Sequence, residues 1–371
     1  MKICIVTYMY PSKYNSSDFV FVKNLVDEFA RQGHECVVLC PFSFMHYKHL
    51  SNGKYVYQVE GNTVTVLCPN FLSLSNTQIG SFNISTFLHK VAVRRTLKRM
   101  TFTPDVFYCH FWKQGIEAYP YAKKKGIPLV VASGEAEILV NNNDGKYDGL
   151  KEYVKGVVCV STKNKDESVK QNLTLPNKCR VIPNSIDNAL FYKQDKLFCR
   201  ERLGISPDKF VVAFVGWFAN RKGSARVSAA ISGIQEKDVY SFFIGDGPDE
   251  PTCDNVLFKG KLKHDEVPLY LNAADVFVLP TLLEGCCNAI VEAMACGLPI
   301  ISSNLSFNWD VLNDRNSIMV DPMSIEEIRD AIIELRDDKA LRENMSLASL
   351  EAARDLTIEH RAEKIINFIQ E

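Results

Sequence analysis

Short apolar runs of four to seven residues alternate with longer amphipathic stretches from one end of the chain to the other. That alternation is the pattern of parallel strands joined by crossover helices, so the predicted class is α/β. In the first half the predicted strands are 2–8, 35–40, 63–68, 105–109, 128–132, 156–160 and 179–182. A second series begins at FVVAFVG (210–216) and continues through SFFIGDG, VLFKG, ADVFVLP and LPIISS. Two such series imply two doubly wound sheets. Pro183, Asn184 and the polar stretch Lys193 to Lys196 break the pattern between them, which puts the boundary near residue 185. The expected domains are therefore 1–185 and 186–355, with a final amphipathic helix over 356–371 whose apolar positions are Ile358, Ile365, Ile366 and Phe368. Ligands of doubly wound sheets bind beyond the carboxyl ends of the strands, so the loops after these runs are where chemistry is expected.

The length of 371 residues exceeds what one hydrophobic core usually serves, and agrees with two domains facing each other across a cleft. Lys plus Arg number 43 against 44 Asp plus Glu, so no global field points to nucleic acid or to an anionic membrane. The twelve cysteines show no CxxC spacing, and Cys4, Cys40, Cys109 and Cys159 fall in or beside predicted strands, where they read as reduced core residues. The opening MKICIVTYMYP reads as a first strand and not as a signal segment, and no run approaches the ~20 apolar residues that span a bilayer. A cytoplasmic protein, at most touching the inner face of a membrane, is expected.

The most informative stretch is ADVFVLPTLLEGCCNAIVEAMACGLPIISS, which reads strand, loop, helix, strand. Glu284 lies in the loop and Glu292 in the helix, eight positions later. Amide groups at a helix start have no partners within the helix and, helped by the macrodipole, suit a diphosphate. Two carboxylates flanking that site suit the hydroxyls of a ribose and a hexose. The plainer reading is a capped amphipathic helix with Glu292 solvated and Cys286 and Cys287 filling space.

This segment resembles the EX7E signature of the retaining glycosyltransferases of family 4, whose pattern continues EAMACGxPV. The resemblance implies a GT-B fold, two Rossmann-like domains across a cleft, and transfer of a hexosyl unit from a nucleotide diphosphate sugar. It implies that Glu284 contacts the transferred sugar, that Glu292 binds ribose, and that Gly285, Cys286, Cys287, Asn288 and Ala289 form the phosphate loop. FVGWFANRKG is similar to the family's GR followed by KG: Gly216, Lys222 and Gly223 fit, and Lys222 would offset charge on the leaving diphosphate. Trp217 stands where the family has arginine, and Arg221 is the nearest substitute. PNSID, with Asn184, resembles PNGVD, and IGDGP, with Gly245 and Asp246, resembles GDGP.

The likeness is looser in the first half. His110 ends a predicted strand at the position of a histidine that lies near the sugar in relatives, where a structural role is the alternative. The loop from Pro11 to Asp18 lacks the family's glycine pair and offers Tyr14, Asn15, Ser16 and Ser17 instead. Ser16 and Ser17 are assigned to the acceptor side, as are Glu135 and Glu137 of SGEAE, which also read as solvated carboxylates. Lys90, Arg94, Arg95, Lys98 and Arg99 punctuate a helical pattern over 84–101 whose apolar side is Ile84, Phe87, Leu88 and Val91. It reads either as a solvated face or as a contact with an anionic membrane bearing a lipid-linked acceptor. By resemblance the last helix crosses back onto the first domain.

No Asp-x-Asp motif occurs, so a metal bridging the diphosphate is not expected, nor any cofactor. The expected function is retaining hexosyl transfer to a glycan or lipid-linked acceptor in surface polysaccharide synthesis, with the departing phosphate oxygen taking the acceptor proton. Two rivals share the architecture: a nucleotide-sugar epimerase, and a non-catalytic nucleotide-sugar-binding subunit.

Overall fold

The computed structural model describes residues 1–11, 19–44, 53–73, 78–79, 82–236 and 238–371. Ser16 and Ser17 lie outside the described residues, as do Tyr14 and Asn15. The chain divides into two units, Met1–Ile182 with Ala362–Glu371, and Pro183–Arg361.

The first unit is built on strands β1 (Lys2–Val6), β2 (Glu35–Leu39), β3 (Gly53–Val59), β4 (Asn62–Cys68), β5 (Val106–His110), β6 (Leu129–Ser133), β7 (Gly156–Cys159) and β8 (Cys179–Val181). Their order across the sheet is β8-β7-β6-β5-β1-β2-β4-β3, parallel except for the β3–β4 pair. β1, β5, β6 and β7 are buried almost throughout, which is why they appear in the sequence as uninterrupted apolar runs and not as alternating ones. The β3–β4 hairpin was not expected. It closes on Glu60 and Gly61, both with positive φ (49° and 86°), a two-residue turn that favours the twist of an antiparallel pair. Its outer strand leaves Tyr55 and Val56 exposed, so it lacks the buried apolar run that marks the other strands.

The second unit carries β9 (Phe210–Val215), β10 (Val239–Ile244), β11 (Val256–Gly260), β12 (Val276–Leu279), β13 (Ile300–Ser303) and β14 (Ser317–Val320), in the order β11-β10-β9-β12-β13-β14 and all parallel. β14 was not anticipated. The winding reverses between β5 and β1 in the first sheet and between β9 and β12 in the second, and those are the positions where the crossover helices diverge and leave a crevice.

Helix α1 (Val20–Arg31) covers the first sheet through Val22, Leu25, Val26 and Phe29, spaced for one face. Helix α2 (Ile84–Arg99) does not bury the expected side: His89, Ala92, Val93 and Leu97 turn inward, while Phe87 is half exposed. The cause is geometric, since positions 89, 93 and 97 stack on one stripe and Phe87 falls off it. Arg94, Arg95, Lys98 and Arg99 are exposed, an arrangement that suits a solvated face and a lipid contact equally. Helix α3 (Trp112–Lys125) follows β5, α4 (Ser224–Ser232) follows β9, and α5 (Asn288–Ala295) follows β12.

Helix α6 (Ile358–Gln370) begins in the second unit, where Ile358 N–H donates to Ile186 O at 3.1 Å, and ends in the first. There Phe368 lies so close to Gly156 that a methyl on that glycine would sit 2.6 Å from the ring. Arg180 stacks on Phe368 and pairs with Glu371 at 2.6 Å. All twelve cysteines are free, with Cys4, Cys109 and Cys159 fully buried. Among the described residues no helix is long and apolar enough to cross a membrane.

Gly245 follows β10 with φ +146°, and a Cβ there would stand 1.9 Å from the carbonyl oxygen of Gly216. The loops after β9 and β10 thus touch backbone to backbone. Gly245→Ala is expected to destabilise the protein by about 3 kcal/mol, read as a lower midpoint in urea. An unchanged midpoint would show that the two loops can part freely.

Candidate functional site

Because β9 and β12 are neighbours, the loops leaving their carboxyl ends lie side by side. They are also zipped together. Leu282 N–H donates to Arg221 O at 2.8 Å, and Arg226 Nη2 donates to Pro280 O at 2.9 Å. Gly223, at φ +87°, permits this approach, because a Cβ there would lie 2.9 Å from Pro280 O.

The zipper delivers Lys222 to Glu284, with Nζ 2.6 Å from Oε1. The same carboxylate oxygen receives Arg221 Nη1 at 2.9 Å and the Thr281 hydroxyl at 3.0 Å. Arg221 also donates to Leu283 O at 2.6 Å, so its guanidinium turns towards the loop, a point the sequence left open. Both Lys222 and Glu284 are largely withdrawn from water, with side chains 14% and 11% exposed. Burial works against the Lys222 charge, but the Glu284 carboxylate, which attracts it and accepts its hydrogen bond, outweighs burial and holds the ammonium above the ordinary lysine range. Two cations on one carboxylate leave a net positive site in a partly desolvated place.

Helix α5 starts beside this cluster. Among the described residues no side-chain hydrogen bond caps its first turn. The Cys287 sulfur lies there, 3.7 Å from Lys222 Nζ, and burial pushes its thiol up despite the lysine and the Ala289 and Ile290 amides beside it. The thiol therefore stays neutral and does not consume the positive end of the helix. Asn184 ties the chain entering the second unit to this turn, donating through Nδ2 to Cys286 O at 2.9 Å and to Asn288 Oδ1 at 2.8 Å. Gly285, Cys286, Cys287, Asn288 and Ala289 thus form a turn held on one side by Asn184 and on the other by Lys222. Glu292, one helical turn further on, meets His264 Nε2 at 3.1 Å, a partner that the sequence reading did not single out.

Gly216 and Gly245 belong to the same loop layer, and Gly245 is needed there because a Cβ on it would run into Gly216 O. Asp246 faces outward and pairs with Lys261 at 2.7 Å. Trp217 is half exposed. Among the described residues no group of three or more His, Cys, Asp or Glu is placed to hold a metal ion.

The remaining described candidates belong to the first unit: His110 ends a strand at its winding reversal, and Glu135 and Glu137 follow the next strand, β6. His110 ends β5, is buried, and is ringed edge-on by Phe21, Tyr108 and Phe111 at 5.6 to 5.9 Å. The next residue, Phe111, adopts φ +77°, a conformation costly for a bulky side chain and the kind of strain concentrated at functional sites. Glu137 is exposed. Glu135 has structural work of its own: Oε1 accepts from the Trp112 amide at 2.8 Å, which begins α3, and Oε2 accepts from the Ser133 hydroxyl at 3.1 Å.

Two doubly wound units, one of them with an ammonium, a guanidinium and a helix start gathered at the crevice of its sheet, define a double Rossmann-like protein of the GT-B type. Residues 19–190 match the model of Glycosyltransferase Family 4 and residues 195–351 that of Glycosyl transferases group 1. The chain belongs to the family-4 glycosyltransferases and is a transferase of sugars. It is 26% identical over 348 residues to a putative teichuronic acid biosynthesis glycosyltransferase, TuaC, of Bacillus subtilis, covering 90% of this chain and 88% of that one. It is 28% identical over 275 residues to the UDP-Gal:alpha-D-GlcNAc-diphosphoundecaprenol alpha-1,3-galactosyltransferase of Escherichia coli, covering 68% and 70%. In fold it is similar to a sucrose-phosphate synthase from Thermosynechococcus elongatus, with TM-score 0.76, 17% identity and coverage of 100% and 98%. It is also similar to Anabaena HepE in complex with UDP and glucose, with TM-score 0.72, 16% identity and coverage of 100% and 99%.

Burial raises the Glu135 carboxyl above its ordinary range, against the pull of the Trp112 amide and the Ser133 hydroxyl. A carboxyl raised on folding stabilises the native state below its unfolded pKa, and that contribution disappears as pH climbs through the folded value. Glu135→Gln mimics the protonated form, so at pH 7 its urea midpoint is expected to equal or exceed that of the parent, with the gain shrinking towards pH 4. A lower midpoint at pH 7 would mean that the ionised carboxylate is what α3 requires.

Proposed function

We propose that this protein is a retaining hexosyltransferase that moves a sugar from a nucleotide diphosphate donor to a glycan or lipid-linked acceptor in the synthesis of a surface polysaccharide. The observation that carries the reading is the convergence of Lys222 and Arg221 on Glu284 beside the start of α5. A donor diphosphate set against that turn would meet the first amides of α5 and the Lys222 ammonium, a preorganised field for the charge that grows on the leaving phosphate. Glu284, held by three donors through one oxygen, is oriented for the hydroxyls of the transferred sugar. Glu292 takes the ribose.

The chemistry follows from what these groups supply. As the bond from the anomeric carbon to the phosphate oxygen breaks, positive charge collects on the sugar and negative charge on the diphosphate. The acceptor hydroxyl attacks from the face of departure, and the phosphate oxygen removes its proton, which retains configuration without a protein nucleophile. In this proposal Lys222, Arg221 and the amides do the work that a divalent ion does elsewhere, and neither metal nor cofactor is assigned. The similarity to a galactosyltransferase acting on a diphosphoundecaprenol sugar, and to a teichuronic acid enzyme, supports the acceptor class. His110 and the loop after β1 are assigned to the acceptor and sugar, and the exposed basic face of α2 to an anionic lipid surface on the cytoplasmic side.

Lys222→Ala is expected to lower kcat by roughly 10² or more, because a preorganised charge at the leaving group is lost. Turnover is to be followed as donor cleavage with UDP-, GDP- and ADP-sugars in the presence of a lipid-linked acceptor extract. Parent-like turnover by the variant would remove Lys222 from the mechanism. Epimerisation of the donor without acceptor would overturn the transfer reading itself.

A further inference from the structure

His264 sits in the turn between β11 and the short helix Val267–Ala273, and Glu292 sits on α5, 28 positions later in the chain. Their side chains meet at 3.1 Å, His264 Nε2 to Glu292 Oε1, with the histidine about half exposed and the carboxylate 14% exposed. The imidazole ring is steadied from another element by Phe191, whose buried ring lies 5.0 Å away at 57°. Asp187, from the segment that enters this unit, and Asp265, its neighbour in sequence, also face it. A ring flanked by Glu292, Asp187 and Asp265 is favoured in its charged form, as a donor.

We propose that His264 is a positioning residue that fixes the Glu292 carboxylate for the ribose hydroxyls of the nucleotide, so that the selectivity for ribose over deoxyribose depends on the His264–Glu292 contact. The inference rests on the reading of Glu292 as the ribose ligand. A carboxylate on a helix surface samples several rotamers, and a hydroxyl pair is recognised well only when both oxygens are held in one plane. The imidazole supplies the held end: it takes one oxygen, while Phe191 packs against the ring. The hydrogen bond from His264 to Glu292, followed by burial that opposes it and by the neighbouring carboxylates, lifts the histidine above its ordinary range. Its charged grip on the ionised Glu292 is therefore lost as pH rises through that raised value.

The test uses the full chain and measures binding of UDP, GDP and ADP by calorimetry, then repeats the tightest with its 2′-deoxy and 3′-deoxy counterparts. In the parent protein the ribonucleotide is expected to bind more tightly than either deoxy form. In His264→Ala its affinity is expected to fall roughly tenfold, the scale of one hydrogen bond to a charged group, while the deoxy forms bind as before. The selectivity ratio then collapses towards that of Glu292→Gln. The donor KM rises with kcat nearly unchanged, and His264→Gln, which keeps an N–H donor, restores much of the ratio and removes its pH dependence. If His264→Ala keeps the parental ratio while Glu292→Gln loses it, the positioning role is wrong and the ribose reading of Glu292 stands. If Glu292→Gln itself keeps the parental ratio, the ribose reading falls and the role of His264 falls with it.

Discussion

Everything at the candidate site of the second unit depends on one carboxylate oxygen. Glu284 Oε1 receives Lys222, Arg221 and the Thr281 hydroxyl, and this three-way contact joins the loop after β9 to the loop after β12. Without it the lysine, deprived of most of its water, would be an uncompensated charge, and such charges are strongly unfavourable. With it, the two loops hold an excess of positive charge at the crevice where the winding of the sheet reverses.

The loops can meet because their backbones are allowed to. Gly223 and Gly245 leave room for carbonyl oxygens at distances no side chain would tolerate, and Asn184 pins the α5 start from the other side. The backbone contacts therefore fix the loops on which the Lys222, Arg221 and Glu284 side chains meet, which helps to preorganise their charges ahead of the reaction. The departure from the family pattern at Trp217 also finds a partial answer here. Arg221, in the next turn of the same loop, brings a guanidinium to Glu284 and restores a second cation to the layer. Its Nη1 is engaged by the Glu284 carboxylate and by Leu283 O.

The first unit follows the same topological logic with different chemistry. His110 and the strained Phe111 stand at the carboxyl end of β5, beside β1, and aromatic rings surround the histidine. Glu135, which the sequence offered as an acceptor ligand or a solvated carboxylate, is used to start α3. A carboxylate in a loop near a strand end looks the same in sequence whether it awaits a hydroxyl or satisfies a backbone amide, and only the position of Trp112 decides.

The sequence by itself determined the α/β class, the two sheets and most strand positions, because parallel strands buried on both faces must be continuous apolar runs. It also determined that Glu284 lies in a loop and Glu292 in the helix that follows, since the order strand, loop, helix is local. It could not reveal the β3–β4 hairpin, whose outer strand is half exposed, nor the buried face of α2, which neighbouring elements select from several short apolar stripes. Nor could it say that Arg221 turns inward or that His264 meets Glu292. Those contacts join residues 63 and 28 positions apart, and a hydrogen bond across such a span exists only after the sheet has set its loops side by side.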